Sequence, residues 1–424
     1  MNKFLRKYFR GDQGIWGIYV LLCLVSIIVM FSASSYFVYK EDTSYWNPIM
    51  SHMSYLLLGG FCAWLLHFTS VRFIRLFGYV VGISFFIFLC LMYVPGIGVK
   101  LNGALRWVDI IIRFQPSEGA KLGLVLVVAD LLSRKGQMDE KKLYWAVVAC
   151  TLAICLPIFP SNFSTVALIL VVIFVMLALS DLTKKWLKIG VPLVIGALLC
   201  VSLYFIVKSV PQDNIPDILG RVTTWVNRVD RWVQEDESVP QNPMDDLHKQ
   251  ITHGKIAIAR GGFFGVGPGN SVQRDYVPLA YADSIFTIII EEYGLAGGIF
   301  VLMLYLTLFF RIGRLAIRSE NMFVALASIG LMLMIMLQVL INVLVVIGYV
   351  PVTGQGLPLI GHGGSSISIM SLYIGVLLAL SNDVEKRRAE NQEVADVDQI
   401  AETNDEIKVI ELDETGIDDD IEEL

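Results

Sequence analysis

Charge is in short supply in this sequence: Asp, Glu, Lys and Arg make up 17% of its 424 residues, against about 25% in an ordinary soluble domain. Hydrophobic residues reach 55%, above the usual share of about 45–50%, so the chain is read as a polytopic membrane protein. Cysteine is scarce as well. All six (Cys23, Cys62, Cys90, Cys150, Cys155, Cys200) fall in apolar runs, which argues against a disulfide framework. No Cys/His spacing suits a metal, and no Ser-His-Asp order suggests a hydrolase. The one glycine-rich loop, Arg260 to Asn270, lacks both the Lys-Ser/Thr ending and the strand pattern of a phosphate loop, which excludes a nucleotide site. No surface of interleaved basic and aromatic residues points to nucleic acid. No small-residue cleavage site follows the basic start (Lys3, Arg6, Lys7, Arg10), so the first apolar run is expected to be a start-transfer helix.

Apolar runs of membrane-spanning length, roughly 20 residues, lie near 14–36, 49–69, 74–94, 117–133, 143–159, 162–180, 186–208, 284–310, 322–348 and 364–381. The expected fold is therefore all-α, with about ten spans. Basic residues cluster at Lys3–Arg10, Arg72 and Arg75, Arg134–Lys142, Lys184–Lys188, Arg311–Arg318 and Lys386–Arg388, while 37–48 and 159–162 are base-poor. That alternation places both termini in the cytoplasm. The expected organisation is a short cytoplasmic start (1–13), a membrane domain (14–381) with a large outer loop (209–283), and a cytoplasmic tail (382–424). The tail holds fifteen acidic residues after Arg388 and one base, Lys408. It lacks aromatics and a sustained apolar period, so it is expected to be disordered or to fold on a partner, with Ile407–Leu412 as a docking patch.

Asp283 sits where a polar outer segment enters an apolar helix, with Thr287 and Glu291 following at helical spacing. A carboxylate at that depth normally faces protein or a wet cavity. It can equally be an N-cap. In the outer loop near 95–116, Arg113 precedes Pro116, Glu118 and Lys121. Pro suits a first helical turn, and Glu118 meets the positive end of the helix dipole there. An inward-facing cluster of Arg113, Glu118 and Lys121 is favoured over a snorkelling Lys121. Val222, Trp225, Val229 and Trp232 recur at helical spacing with Arg221, Arg228 and Arg231 opposite. This fits a helix in the headgroup plane or one covering the bundle. Gly and Pro crowd the stretch 351–366; irregular backbone at membrane depth must be buried or line a cavity. Its His362 is expected to be a hydrogen-bonded packing residue rather than an acid or base.

A carboxylate beside fixed cations at the lipid–water boundary suits an anionic lipid carrying a sugar. The cations would bind a pyrophosphate and the carboxylate would take a proton from an attacking hydroxyl. A transporter of the same lipid needs a similar cavity, and composition does not separate the two.

Three stretches carry a more specific signal: Asn102–Trp107 with Phe114-Gln-Pro-Ser-Glu118 and Lys121; Tyr276–Phe286 with Glu291-Glu-Tyr-Gly294; and Pro351-Val-Thr-Gly with Gly363-Gly-Ser-Ser366. In order, spacing and setting they resemble the SEDS (shape, elongation, division and sporulation) family of bacterial cell-wall proteins, across residues 14 to 381. The resemblance implies a peptidoglycan glycosyltransferase of the bacterial inner membrane that polymerises lipid II on the outer face beside a class B penicillin-binding protein. It implies Asp283 as the catalytic carboxylate or the holder of a divalent cation (Mg or Mn), and Arg113 and Lys121, joined by Arg106 and Arg221, as substrate-binding cations positioned with Glu118. Gly267–Tyr276 and the long tail favour the division branch, with other cell-division proteins as partners, over the elongation branch. A lipid II transporter, with Glu291, Glu292 and Gln338 along its path, and a division scaffold are the alternatives. The sequence departs from the family pattern at Leu279 and Ser284, where Glu and Phe are common, at Ser161–Ser164, and at Gly361-His362, where Ser-Tyr is common.

Overall fold

The computed structural model describes residues 8–34, 44, 46–101, 104–110, 113–180, 246–277 and 281–418, with side chains described up to residue 396 and, in the segment after 246, from residue 252. The helices are α1 (Gln13–Ala33), α2 (Trp46–Leu66), α3 (Val71–Leu91), α4 (Pro116–Ser133), α5 (Glu140–Ile158), α6 (Phe163–Leu179), α7 (Asp246–Gly261), α8 (Ile285–Arg318), α9 (Met322–Val346) and α10 (Ser365–Asp418). Nine of the ten expected spans are thus helices among the described residues; the tenth, 186–208, and the Trp225/Trp232 segment with Arg221 lie outside them. Among the described residues, seven helices are long and apolar enough to cross a membrane.

The helix at the centre is α4. Every residue of it except Leu131 and Ser133 is buried, including Glu118, Lys121 and Asp130. It touches α3, α5, α6, α9 and α10. Contact with α3 is close because Gly123 faces Gly82, and a Cβ on Gly123 would strike the Gly82 backbone. The three charges hold its two ends. Asp130 takes an ion pair from Arg75 (3.1 Å) and another from Arg134 (2.6 Å), with a hydrogen bond from Tyr79 (2.9 Å). At the other end Pro116 fills the first turn and Glu118 lies within it.

Before α4, the outer loop forms a small antiparallel sheet, β1 (Gly98–Leu101), β2 (Ala104–Asp109) and β3 (Arg113–Phe114), in that order. No strand was expected. Leu105 and Trp107 alternate with Arg106 and Val108 on β2, a short period-2 signal, and Val108 is its buried anchor.

A break at Gly294 (φ 71°, ψ −174°) interrupts α8, a backbone conformation essentially reserved for glycine. The groups released there pair with the glycine-rich loop: Val266 and Gly267 donate to the Glu291 and Glu292 carbonyls (2.9 and 3.0 Å), and Leu295 and Ala296 donate to Gly262 and Phe263 (2.9 and 3.1 Å). The glycines of 261–267 therefore allow backbone to meet backbone. A Cβ on Gly265 or Gly294 would collide with it. This is how irregular chain at membrane depth keeps its polar groups paired.

Glu291 and Glu292 clamp the same loop. Glu291 accepts from the Ser271 hydroxyl and from the amides of Val272 and Gln273 (both 3.2 Å), and pairs with Arg260 (3.3 Å). Glu292 accepts from the Ser32 hydroxyl and the Ser271 amide (3.3 Å), and pairs with Arg274 (3.5 Å).

The tail, expected to be disordered or to fold on a partner, carries on from the last span as helix: α10 runs to Asp418. Its polar part has no proline, and its first glycine is Gly416. Glu, Lys, Arg, Gln and Ala are good helix formers, and Asp383 pairs with Arg387 one turn on (2.9 Å).

Candidate active site

Asp283 lies in the turn leading into α8, and the N-cap position belongs to Ser284. The capping reading of Asp283 is therefore set aside. Its main-chain carbonyl accepts from Asn342 Nδ2 of α9 (2.8 Å), which also donates to the Gln355 carbonyl (2.8 Å). One amide group thereby ties the Asp283 turn to the Gly/Pro-rich loop of 351–364.

Gly354 of that loop has φ 68°, and a Cβ there would sit 3.1 Å from Arg106 Nη1 and 3.4 Å from Asp283 Oδ2. The guanidinium and the carboxylate thus approach the same bare face of Gly354. Arg106 is aimed by its place on β2 and by donating from Nε to the Ser161 carbonyl (3.0 Å).

Glu118 and Lys121 form a buried ion pair of 2.9 Å, their side chains 8% and 1% exposed. Lys121 does not snorkel. Its Nζ donates to Gln338 Oε1 (3.4 Å), and Gln338 Nε2 donates to the Gly356 carbonyl (3.1 Å). Gln355 donates to Thr165 Oγ1 (3.1 Å). A continuous polar chain therefore runs from the first turn of α4 through α9 to the loop flanking Asp283. Glu118 Oε2, Asn342 Oδ1 and Gln355 Oε1 are buried acceptors with no donor in it, a surplus that a ligand rich in hydroxyl donors or water would satisfy.

Two expectations need correction. Arg113 does not join the Glu118–Lys121 cluster: on the two-residue β3 it is half exposed and pairs with Asp109 (3.1 Å). Glu291 does not share a site with Asp283, because its carboxylate is clamped on the glycine-rich loop. Arg221 lies outside the described residues. Among the described residues no group of three or more His, Cys, Asp and Glu side chains could hold a metal ion.

The residues that sequence reasoning passed over are Gly354, Gln355 and Asn342. Asn342 follows Gln338 by one helical turn in an otherwise apolar span, and two amides on one face of such a helix were the available signal. His362 is a packing residue as expected, with Nδ1 3.1 Å from His52 Nδ1.

A family model described as cell cycle protein, covering the FtsW, RodA and SpoVE proteins, matches residues 12–386. The chain is 34% identical over 321 residues to the probable peptidoglycan glycosyltransferase FtsW of Dichelobacter nodosus, covering 73% of this chain and 74% of that one. It is 29% identical over 397 residues to the protein of the same description from Marinomonas mediterranea, covering 89% and 91%. Among solved structures, it superposes with a TM-score of 0.67 on a chain of a peptidoglycan synthase complex that coordinates polymerisation and crosslinking, at 24% identity, covering 88% of this chain and 98% of that one.

Proposed function

The chain belongs to the FtsW/RodA/SpoVE family of cell cycle proteins, multi-pass proteins of the bacterial inner membrane, and from that membership we propose that it is a peptidoglycan glycosyltransferase polymerising lipid II. The observation that supports this reading most directly is Asp283 beside Arg106 on the open face of Gly354. In the proposed step the acceptor sugar hydroxyl attacks the anomeric carbon of the donor. The bond from that carbon to the lipid pyrophosphate breaks, the electron pair leaves with the pyrophosphate, and the hydroxyl proton passes to Asp283. Arg106 faces the charge that develops on the leaving group.

Lys121 contributes differently from the initial expectation. Its charge is matched by Glu118 at 2.9 Å, so it acts by holding Gln338 and the 354–356 loop in place rather than as an unpaired phosphate ligand. Half-exposed Arg113 suits the first encounter with the phosphates at the mouth of the site. A divalent cation, if the reaction uses one, would be held by Asp283 together with the substrate and would neutralise charge on the leaving pyrophosphate. Magnesium is often held that way, by one or two carboxylates plus phosphate oxygens and waters. The catalytic face is extracytoplasmic, the role is septal synthesis, and a class B penicillin-binding transpeptidase is the partner that crosslinks the product. Against transport, the polar groups a path would need, Glu291, Glu292 and Gln338, are each engaged in holding backbone.

The test is glycan-chain formation from purified lipid II in detergent with Mg or Mn, by wild type and Asp283→Asn, each with and without the co-purified transpeptidase. The expected result is polymer from wild type and a loss of about 10²–10⁴-fold in the variant. Equal polymer from both would remove Asp283 from catalysis.

A further inference from the structure

Next to the Asp283 turn, four segments meet at two histidines. His52 on α2 is buried, as is Ser26 on α1. The Ser26 hydroxyl donates to the Ile360 carbonyl (3.1 Å) and lies 2.7 Å from His52 Nε2. On the other side of the ring, His52 Nδ1 is 3.1 Å from His362 Nδ1. His362 in turn donates its main-chain N–H to the Tyr281 carbonyl (2.9 Å), and its ring meets the Tyr281 ring edge-on at 5.9 Å.

The Ser26 hydroxyl reaches both the Ile360 carbonyl and His52 Nε2, and the Nδ1 atoms of the two rings face each other, so in the neutral pair the tautomer of one histidine sets that of the other. The contacts join Ser26, His52 and His362 into one hydrogen-bonded chain that closes on residues 360–362. Gly361 lies so close to the Ala282 carbonyl that a Cβ would come within 2.7 Å of it, so this loop also packs directly on the turn.

We infer that His52 and His362 are positioning residues for the reaction: a hydrogen-bonded pair that fixes residues 360–362, and through them Tyr281, Ala282 and the direction of the Asp283 carboxylate. The inference rests on Asp283 being the base. Position 362 is one at which this sequence departs from the Tyr of the family pattern. The pair bears on the turn through the Tyr281 carbonyl, so loosening it alters the approach of the carboxylate in the transition state more than the binding of lipid II.

The test uses the full chain with its transpeptidase partner and follows polymerisation of lipid II together with thermal unfolding. His362→Ala removes the ring that faces His52. His52→Gln keeps the bond to Ser26, because a Gln amide reaches where Nε2 stood, but loses the link to His362. Asn at 362 places an amide where Nδ1 stood. His362→Ala and His52→Gln should each lower kcat about tenfold with KM within about twofold, the double variant should be no worse than either single, and His362→Asn should stay within about threefold of wild type. Unchanged kcat in His362→Ala and His52→Gln, or losses that merely track the unfolded fraction, or failure of His362→Asn to recover activity in a well-folded protein, would each overturn the inference. The Asp283→Asn control distinguishes this from failure of the parent reading. If Asp283→Asn polymerises like wild type, the histidines have no base to position and both fall.

Discussion

Replacing Lys121 with Met should destabilise the protein far more than removing both members of its ion pair. The side chains of Lys121 and Glu118 are 1% and 8% exposed, 2.9 Å apart, and Glu118 Oε2 has no other donor. Losing the lysine alone leaves a buried carboxylate without compensation, a change that costs about 3–5 kcal/mol. Glu118→Gln together with Lys121→Met removes both charges and keeps the volume nearly constant, so the double variant should return to within about 1–2 kcal/mol of wild type, since neutral replacement of a buried pair is often tolerated. The assay is thermal denaturation in detergent followed by size exclusion, on wild type, both singles and the double. Lys121→Met as stable as wild type, or a double variant worse than the sum of its singles, would refute the account of α4 as a helix whose buried charges cancel. Polymerisation by the stable double variant should stay low, because Gln338 loses the Nζ that anchors it at 3.4 Å.

Gly294→Ala should cost upwards of about 3 kcal/mol, since the left-handed conformation is strained for alanine and its Cβ meets the Phe263 carbonyl; hydrogen exchange should show the amides of 262–267 losing protection. Arg113→Ala should leave stability within about 0.5 kcal/mol, because an exposed pair with Asp109 contributes little, while raising KM for lipid II more than it lowers kcat. Glu292→Gln should loosen the 271–274 segment, and limited proteolysis should detect new cleavage near Arg274.

Much of this architecture was legible in the sequence, for a physical reason: a bilayer demands about 20 apolar residues per span, so span positions follow from composition alone. Boundaries were less so, because α8 and α10 run on past the apolar core as helices of good formers. The depth of Glu118 and Lys121 was readable from Pro116 and the spacing. Arg113 was misassigned because a two-residue strand leaves no periodic signal to say which way a side chain points. Asn342, Gln355 and Gly354 matter through contacts between segments far apart in the chain, such as Gln355 with Thr165, and such contacts leave little trace in local pattern. The same holds for His52, which nothing in its own apolar helix distinguished from packing.

The helix that begins at Ser365, one residue beyond the loop framing Asp283, is 54 residues long, about 80 Å at 1.5 Å per residue. A straight helix of that length is stiff to twist and to axial displacement. Its apolar part ends near Ser381, after about the length of one span, so the polar remainder extends beyond the hydrocarbon layer, and its near end is joined to Gly363 and Gly364, the two residues that follow His362. A turn of the shaft by a cytoplasmic binder would therefore be felt at its hub, on the opposite side of the membrane, without any signal having to pass through solvent or lipid.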